Sequence, residues 1–210
     1  CVYRWNDRKV NSGGVTTFSR MSVVSENRVT VIPKEVSLVD AAMMGCAIPT
    51  GVGVVLNNAQ PKAGQSLVVF GAGAIGLCVI AGAVIAGCSP IVAVDLLDAR
   101  LKLARDVGAT HGIHAGKEEN LSQSIINFLG KPADFAIEAT GRSDIMAQAL
   151  LCVRNQGGIV VVVGNARHGE MLTIDPKQLN LGKQLRGTWG GDNWPDRDFP
   201  KYFDFIRNGQ

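Results

Sequence analysis

The sequence predicts an α/β fold built on a doubly wound parallel sheet, because short apolar strands alternate with helical segments along most of its 210 residues. A second observation agrees: a glycine-rich turn stands where the first of those strands gives way to a helix. The composition, 46% hydrophobic and 19% charged, suits a packed domain and argues against extended disorder.

Taken in order, residues 13–33 read as β-like, with Val15-Thr16-Thr17-Phe18, Val23-Val24 and Val29-Thr30-Val31-Ile32 ahead of Pro33. Ser37 is placed to cap a short helix over 38–44, and Pro49-Thr50-Gly51 opens a second one running toward Asn58. Residues 60–64 form a turn. Strands then follow at 67–70, 91–95, 110–114, 134–138, 159–163 and 183–189. Helices are expected at 74–86, 98–107, 121–129 and 143–153. The domain boundaries predicted from this pattern are 1–36 for a β-rich remnant, 37–62 for connecting helices, 63–195 for the α/β domain and 196–210 for the start of a further helix.

Several function classes are excluded by composition. A net charge of +3, with basic residues scattered among acidic ones, gives no nucleic-acid footprint. The uncharged run 67–88 is long enough to cross a membrane on length alone, yet Gly71, Gly73, Gly76, Gly82 and Gly87 break it into strand, turn and helix. Five cysteines, Cys1, Cys46, Cys78, Cys88 and Cys152, are an odd number at irregular spacing, which favours a reducing cytoplasm over a disulfide framework. His111, His114 and His168 form no metal-like cluster and are expected to be non-catalytic, and Trp189, Trp194 and Phe199 to pack rather than to stack on bases.

The chemistry concentrates on Gly71-Ala72-Gly73-Ala74-Ile75-Gly76, a G-x-G-x-x-G that closes a strand and opens a helix. Gly71 permits the turn, Gly73 lets the backbone approach a pyrophosphate, and Gly76 lets helix and strand pack closely. The amides of Ala74 and Ile75, in the first helical turn, face the anion. Asp95 follows Gly76 by 19 residues, at the end of the next strand, where a carboxylate accepts from both ribose hydroxyls and repels a 2′-phosphate. This favours NAD over NADP. Arg100 either folds over the adenosine side or sits solvated on a helix face. Thr140, Gly141 and Gly164 follow later strands and are positioned to border the nicotinamide. Glu138 is expected to hold its loop in preference to acting in catalysis.

Together these residues resemble the zinc-type medium-chain alcohol dehydrogenases over nearly the whole chain. The most telling segment is Met44-Gly45-Cys46-Ala47-Ile48-Pro49-Thr50-Gly51-Val52-Gly53, similar to the family's G-C-x-x-x-T-G-x-G, with the glycine fingerprint at the family's usual distance. The resemblance implies a Rossmann cofactor domain preceded by a remnant of a GroES-like catalytic domain. It also implies that Cys46 is one of three protein ligands of a catalytic zinc, that Thr50 lies beside the nicotinamide, and that the metal activates a bound alcohol for hydride transfer to NAD. The family's other zinc ligands belong to a region absent here, and Cys1 resembles the last of four structural-zinc cysteines, so the chain reads as a fragment. The implied substrate is a small alcohol, polyol or carbonyl compound, and the implied assembly is a homo-oligomer, a dimer or tetramer, joined through the edge strand 183–189. Three other readings stay open: a zinc-free quinone or enone reductase using NADPH, a protein that binds NAD without turnover, and, disfavoured by the full fingerprint, a methyltransferase.

Overall fold

The computed structural model describes residues 2–11 and 20–209. Two compact units emerge, 1–34 and 35–210.

In the first unit, β1 (Val2–Trp5) pairs antiparallel with β2 (Arg8–Asn11), and Trp5 lies opposite Arg8. The turn between them is made by Asn6 and Asp7, with φ of +47° and +60°. Two successive left-handed residues match the twist of a tight hairpin, and Asn and Asp tolerate that region better than most side chains. The strands expected at Val23-Val24 and at 29–32 do not form; a 3₁₀ turn over Glu26–Arg28 lies between them instead. Val23 and Val31 are 98% and 93% exposed. β-branched residues favour a strand only where a ladder partner and a buried face exist, and these have no buried face. The expected segment Val15-Thr16-Thr17-Phe18 lies outside the described residues.

The second unit is a doubly wound sheet of six parallel strands in the order β5-β4-β3-β6-β7-β8. These are β3 (Leu67–Phe70), β4 (Ile91–Asp95), β5 (His111–His114), β6 (Phe135–Glu138), β7 (Ile159–Val162) and β8 (Gln184–Gly187). Side chains alternate between faces along β3. Leu67 and Val69 pack with Val79, Ile80 and Ala83 of α3 (Ala74–Ile85) and with Leu101 and Ala104 of α4 (Asp98–Val107). Val68 and Phe70 pack on the other side with Ile125 of α5 (Leu121–Leu129) and Leu150 of α6 (Ser143–Cys152). Covered on both faces, β3 and β4 bury every residue, which is why they read as unbroken apolar runs.

The chain order reverses between β3 and β6, so the crevice beyond their carboxyl ends is where such a sheet binds ligands. At the opposite end, Asp134 ties the two strands: its Oδ2 accepts from the Ser66 amide (3.0 Å) and hydroxyl (2.9 Å), and its Oδ1 from Arg154 Nε (2.9 Å).

Ser37 caps α1 (Leu38–Met43), its hydroxyl oxygen accepting from the Asp40 amide at 3.1 Å. The second helix begins earlier than expected, as α2 (Ala47–Gly53), and passes directly into a π-helical segment, Val54–Ala59, closed by Gln60 at φ +51°. The last expected strand is shorter than 183–189 because Lys183 turns inward. Its ammonium donates to the Leu150 and Leu151 carbonyls at 2.9 and 3.3 Å, satisfying acceptors at the end of α6. A short α7 (Lys177–Asn180) precedes β8, and α8 (Pro195–Arg207) closes the unit, with Pro195 in its first turn. Among the described residues no helix is long and apolar enough to cross a membrane.

Candidate functional site

The glycine fingerprint has three glycines with three different surroundings. Gly71 leaves β3 at φ +93°, a left-handed conformation that glycine adopts without strain. Gly76 sits in the first turns of α3, where a Cβ would run into the carbonyl oxygen of Gly71, so only glycine lets the helix lie this close to the turn. Gly73, the residue capping α3, faces open space: an added Cβ there meets nothing within 4 Å. Ala74 and Ile75 follow in the first helical turn, whose amides have no partner inside the helix. An anion finds its donors here.

Asp95 at the end of β4 is 8% exposed and braces this turn. Its Oδ2 accepts from the Ala72 amide at 2.8 Å and its Oδ1 from the Leu97 amide at 3.0 Å. Each carboxylate oxygen has further acceptor capacity, so the group can brace the protein and still receive hydroxyl donors from the cleft. Arg100, half-exposed on α4, points back to the carboxylate with Nη1 3.7 Å from Oδ2. Arg100 thus borders the cleft on the Asp95 side while its side chain stays about half exposed to solvent.

The turn after β6 forms the facing wall. Glu138 is fully buried, and its Oε1 accepts from the Thr140 amide (2.6 Å), the Gly141 amide (3.0 Å) and the Thr140 hydroxyl. Burial pushes the Glu138 carboxyl above the usual carboxylate range, the hydrogen bonds from Thr140 and Gly141 opposing the rise. Glu138 therefore holds the loop. Gly164, after β7, does not line the cleft; it packs behind this turn, where a Cβ would stand 2.8 Å from Glu138 Oε2 and against the Gly141 backbone.

These walls enclose a cleft of about 620 Å³ at the carboxyl ends of the strands, floored by Phe70, Gly71 and Gly73 and bordered by Asp95, Arg100 and Thr140. Sequence reasoning missed other residues of its lining: Glu118 and Glu119 after β5, and Arg142 and Ile145 at the start of α6. Arg142 is held by two parallel hydrogen bonds to Asp144, at 3.0 and 2.8 Å. Nothing in their local spacing signals a shared cleft, since it forms only when β5 and β6 flank β4 and β3.

Cys46 and Thr50 stand on α2. Cys46 caps the helix with its thiol exposed, and its carbonyl accepts from the Thr50 amide at 3.0 Å; Thr50 is buried. The next residue explains the close fit of α2 on α3, because a Cβ on Gly51 would stand 2.6 Å from the Ile75 carbonyl and against Cys78. Thr50 is thereby fixed near the first turn of α3. From the other side, Asn193 Nδ2 donates to the Pro49 carbonyl at 2.6 Å and Asn57 Nδ2 to the Gly191 carbonyl at 3.0 Å.

Comparison with known proteins agrees with this geometry. Residues 74–208 match the family model described as zinc-binding dehydrogenase. The chain belongs to the zinc-binding dehydrogenase family. It is 33% identical over 203 residues to an S-(hydroxymethyl)glutathione dehydrogenase of Paracoccus denitrificans, covering 94% of this chain and 54% of that protein. It is 34% identical over 196 residues to an alcohol dehydrogenase class-P of Arabidopsis thaliana, covering 93% and 52%. In structure it is similar to benzyl alcohol dehydrogenase from Acinetobacter calcoaceticus, with a TM-score of 0.85 and 31% identity over 90% of this chain and 52% of that one. The chain spans about half the length of the curated relatives it matches.

For a zinc-binding dehydrogenase the metal-donor set among the described residues is partial. Among the described residues no group of three or more His, Cys, Asp and Glu side chains is gathered as a metal site, and Cys46 is a single exposed thiol. A catalytic zinc takes three protein ligands, so the described residues do not by themselves fit one. The glycine fingerprint and Asp95, by contrast, lie together within the 35–210 unit.

Proposed function

We propose that this chain is the NAD-binding part of a zinc-type dehydrogenase that moves a hydride between a small alcohol or polyol and NAD. The observation that carries the reading is Asp95, a nearly buried carboxylate at the end of β4 that faces the cleft while bracing the fingerprint turn. In the reading, Gly71 and Gly73 leave room for the pyrophosphate, the Ala74 and Ile75 amides donate to it, and Gly76 holds α3 close enough for them to do so. Asp95 accepts the ribose hydroxyls of the adenosine, Arg100 flanks it, and Thr140 borders the cofactor further along. Gly164 acts from behind that wall. The nicotinamide, when bound, supplies the hydride acceptor or donor.

Thr50 on α2 is proposed to lie beside the nicotinamide end, and Cys46 to be the one zinc ligand this chain contributes, alongside ligands from elsewhere in the protein; both rest on the family resemblance. Residues 1–36 are read as the end of a catalytic domain, 37–62 as the link carrying Cys46 and Thr50, 63–195 as the cofactor domain and 196–210 as the start of a return to the catalytic domain. Association of two copies through β8 is proposed because that strand ends the sheet with one side unpaired. A reducing, cytoplasmic setting suits the free thiols of Cys46, Cys78, Cys88 and Cys152.

The test is titration of the chain with NADH and with NADPH, followed by cofactor fluorescence, in wild type and Asp95→Ala. Preference for NADH that narrows in the variant is expected, since the carboxylate repels a 2′-phosphate. Equal affinity of the wild type for both cofactors would overturn the role given to Asp95.

A further inference from the structure

Three donors from one turn converge on a single buried oxygen. Glu138 Oε1 receives the amides of Thr140 and Gly141 and the Thr140 hydroxyl, and Thr140 Oγ1 in turn accepts from the Arg142 amide at 3.2 Å. Glu138 Oε2 is buried with no hydrogen-bond partner among the described residues. The turn so gathered reaches back to the fingerprint: the Thr140 methyl is 3.0 Å from where a Cβ on Gly71 would stand. Thr140 and Arg142 both face the cleft, whereas Glu138 does not line it.

We propose that Glu138 is a positioning residue for the cofactor, acting through Thr140 to hold the 139–142 turn at a fixed distance from Gly71. The proposal rests on the cofactor reading above. An apolar side chain would occupy this buried place with less desolvation, but it would leave the Thr140 and Gly141 amides without their acceptor. A glutamine would keep one acceptor oxygen for the three donors but would put a two-donor amide where Oε2 now lies without a partner. Gly164 belongs to the same device, since any side chain there would displace Oε2 or the Gly141 backbone and shift the turn. Without the staple the turn samples positions that narrow the gap over Gly71, and the cofactor must then fix it at the expense of affinity.

The experiment is a double-mutant cycle on the 210-residue chain, with NADH affinity read by cofactor fluorescence and folding checked by thermal melting. Glu138→Gln is expected to weaken NADH about tenfold, through buried amide donors with no acceptor, and Thr140→Val about fivefold, through loss of the hydroxyl's bond to Glu138. Because the two residues act in series, the double variant should bind about as Glu138→Gln does, short of the product of the two losses. Thr140→Ser, which keeps the hydroxyl, should bind more tightly than Thr140→Val. Multiplying losses, or folded variants that bind as wild type with only a lowered melting temperature, would assign Glu138 a purely structural part and overturn the proposal. Should Glu138→Gln not fold, the Thr140→Val and Thr140→Ser pair decides it, equal affinities counting against it. A wild-type chain that binds no NADH overturns the cofactor reading and this inference together, whereas wild-type binding with unaffected variants overturns this inference alone.

Discussion

At the scale of single residues, two glycines three positions apart separate stability from binding. Gly76→Ala drives a methyl into the Gly71 carbonyl, a backbone atom that no side-chain rotation can clear. A loss of about 3 kcal/mol is expected in denaturant unfolding, the upper part of the range for overpacking. Gly73→Ala adds its methyl to open space at φ −77°, which alanine accepts, so its stability should stay within about 0.5 kcal/mol of wild type. Its NADH affinity should nevertheless fall, because that open space is where the pyrophosphate approaches. The cysteines divide in the same way. Burial raises the Cys152 thiol to about 12, and burial together with the nearby Asp134 charge raises Cys88 to about 11, whereas Cys46 is exposed. Mass-resolved alkylation should therefore label Cys46 before Cys78, Cys88 and Cys152. The fingerprint glycines and Asp95 were legible because the chemistry there is set by local spacing. Arg142, Glu118 and Glu119 were not, since their common neighbourhood is created by strand order; Gly164 was read as a cleft residue because its position after a strand says nothing of what lies behind it.

Among the elements, the Ser66, Asp134 and Arg154 clamp joins the entries of β3 and β6, the two strands that frame the cleft at their far ends. Burial pushes the Asp134 carboxyl up, but the hydrogen bonds from Ser66 and Arg154 outweigh it and the net shift is downward. A depressed carboxyl contributes stability that is fully present above its unfolded value near 4 and is lost as pH falls toward the folded value. Asp134→Asn should accordingly be less stable than wild type at neutral pH, by about 1 to 3 kcal/mol for a lost charged hydrogen-bond partner. The gap should close as pH falls below about 4 in acid unfolding followed by circular dichroism. An unchanging gap would show that the clamp acts by shape alone. Most helices and strands of this unit were legible to within a residue or two, because each joins an apolar period to a capping or turn signal, as Ser37 does for α1, whereas β8 is shorter than expected and the short α7 carried no such signal. The first unit was not. Its valines at 23–24 and 29–31 suggested strands that do not form, and its hairpin is signalled only by Asn6-Asp7, a turn pair whose meaning depends on the strands either side of it.

For the whole molecule, the parallel sheet and the reversal between β3 and β6 are what turn scattered residues into a site; alternation along the chain signals the sheet, whereas the place of the reversal is set by strand order. Gly51 lets α2, which carries Cys46 and Thr50, lie against the first turns of α3. If β8 pairs with a second copy, sedimentation of the chain should report a mass of twice 22.2 kDa, and a charged replacement of the exposed Trp189 beside that edge should lower it toward one copy. The central claim is that the cleft at the carboxyl edge of the sheet receives a dinucleotide, and the most direct measurement is a map of backbone amide chemical shifts during titration with NADH. Shifts concentrated at Gly71, Gly73, Ala74 and Ile75, at Asp95 and Leu97, and at Thr140 to Arg142 are predicted. Saturating NADH that leaves those amides unmoved, or moves instead the apolar recess between Val52, Cys78 and Phe205, would contradict the account.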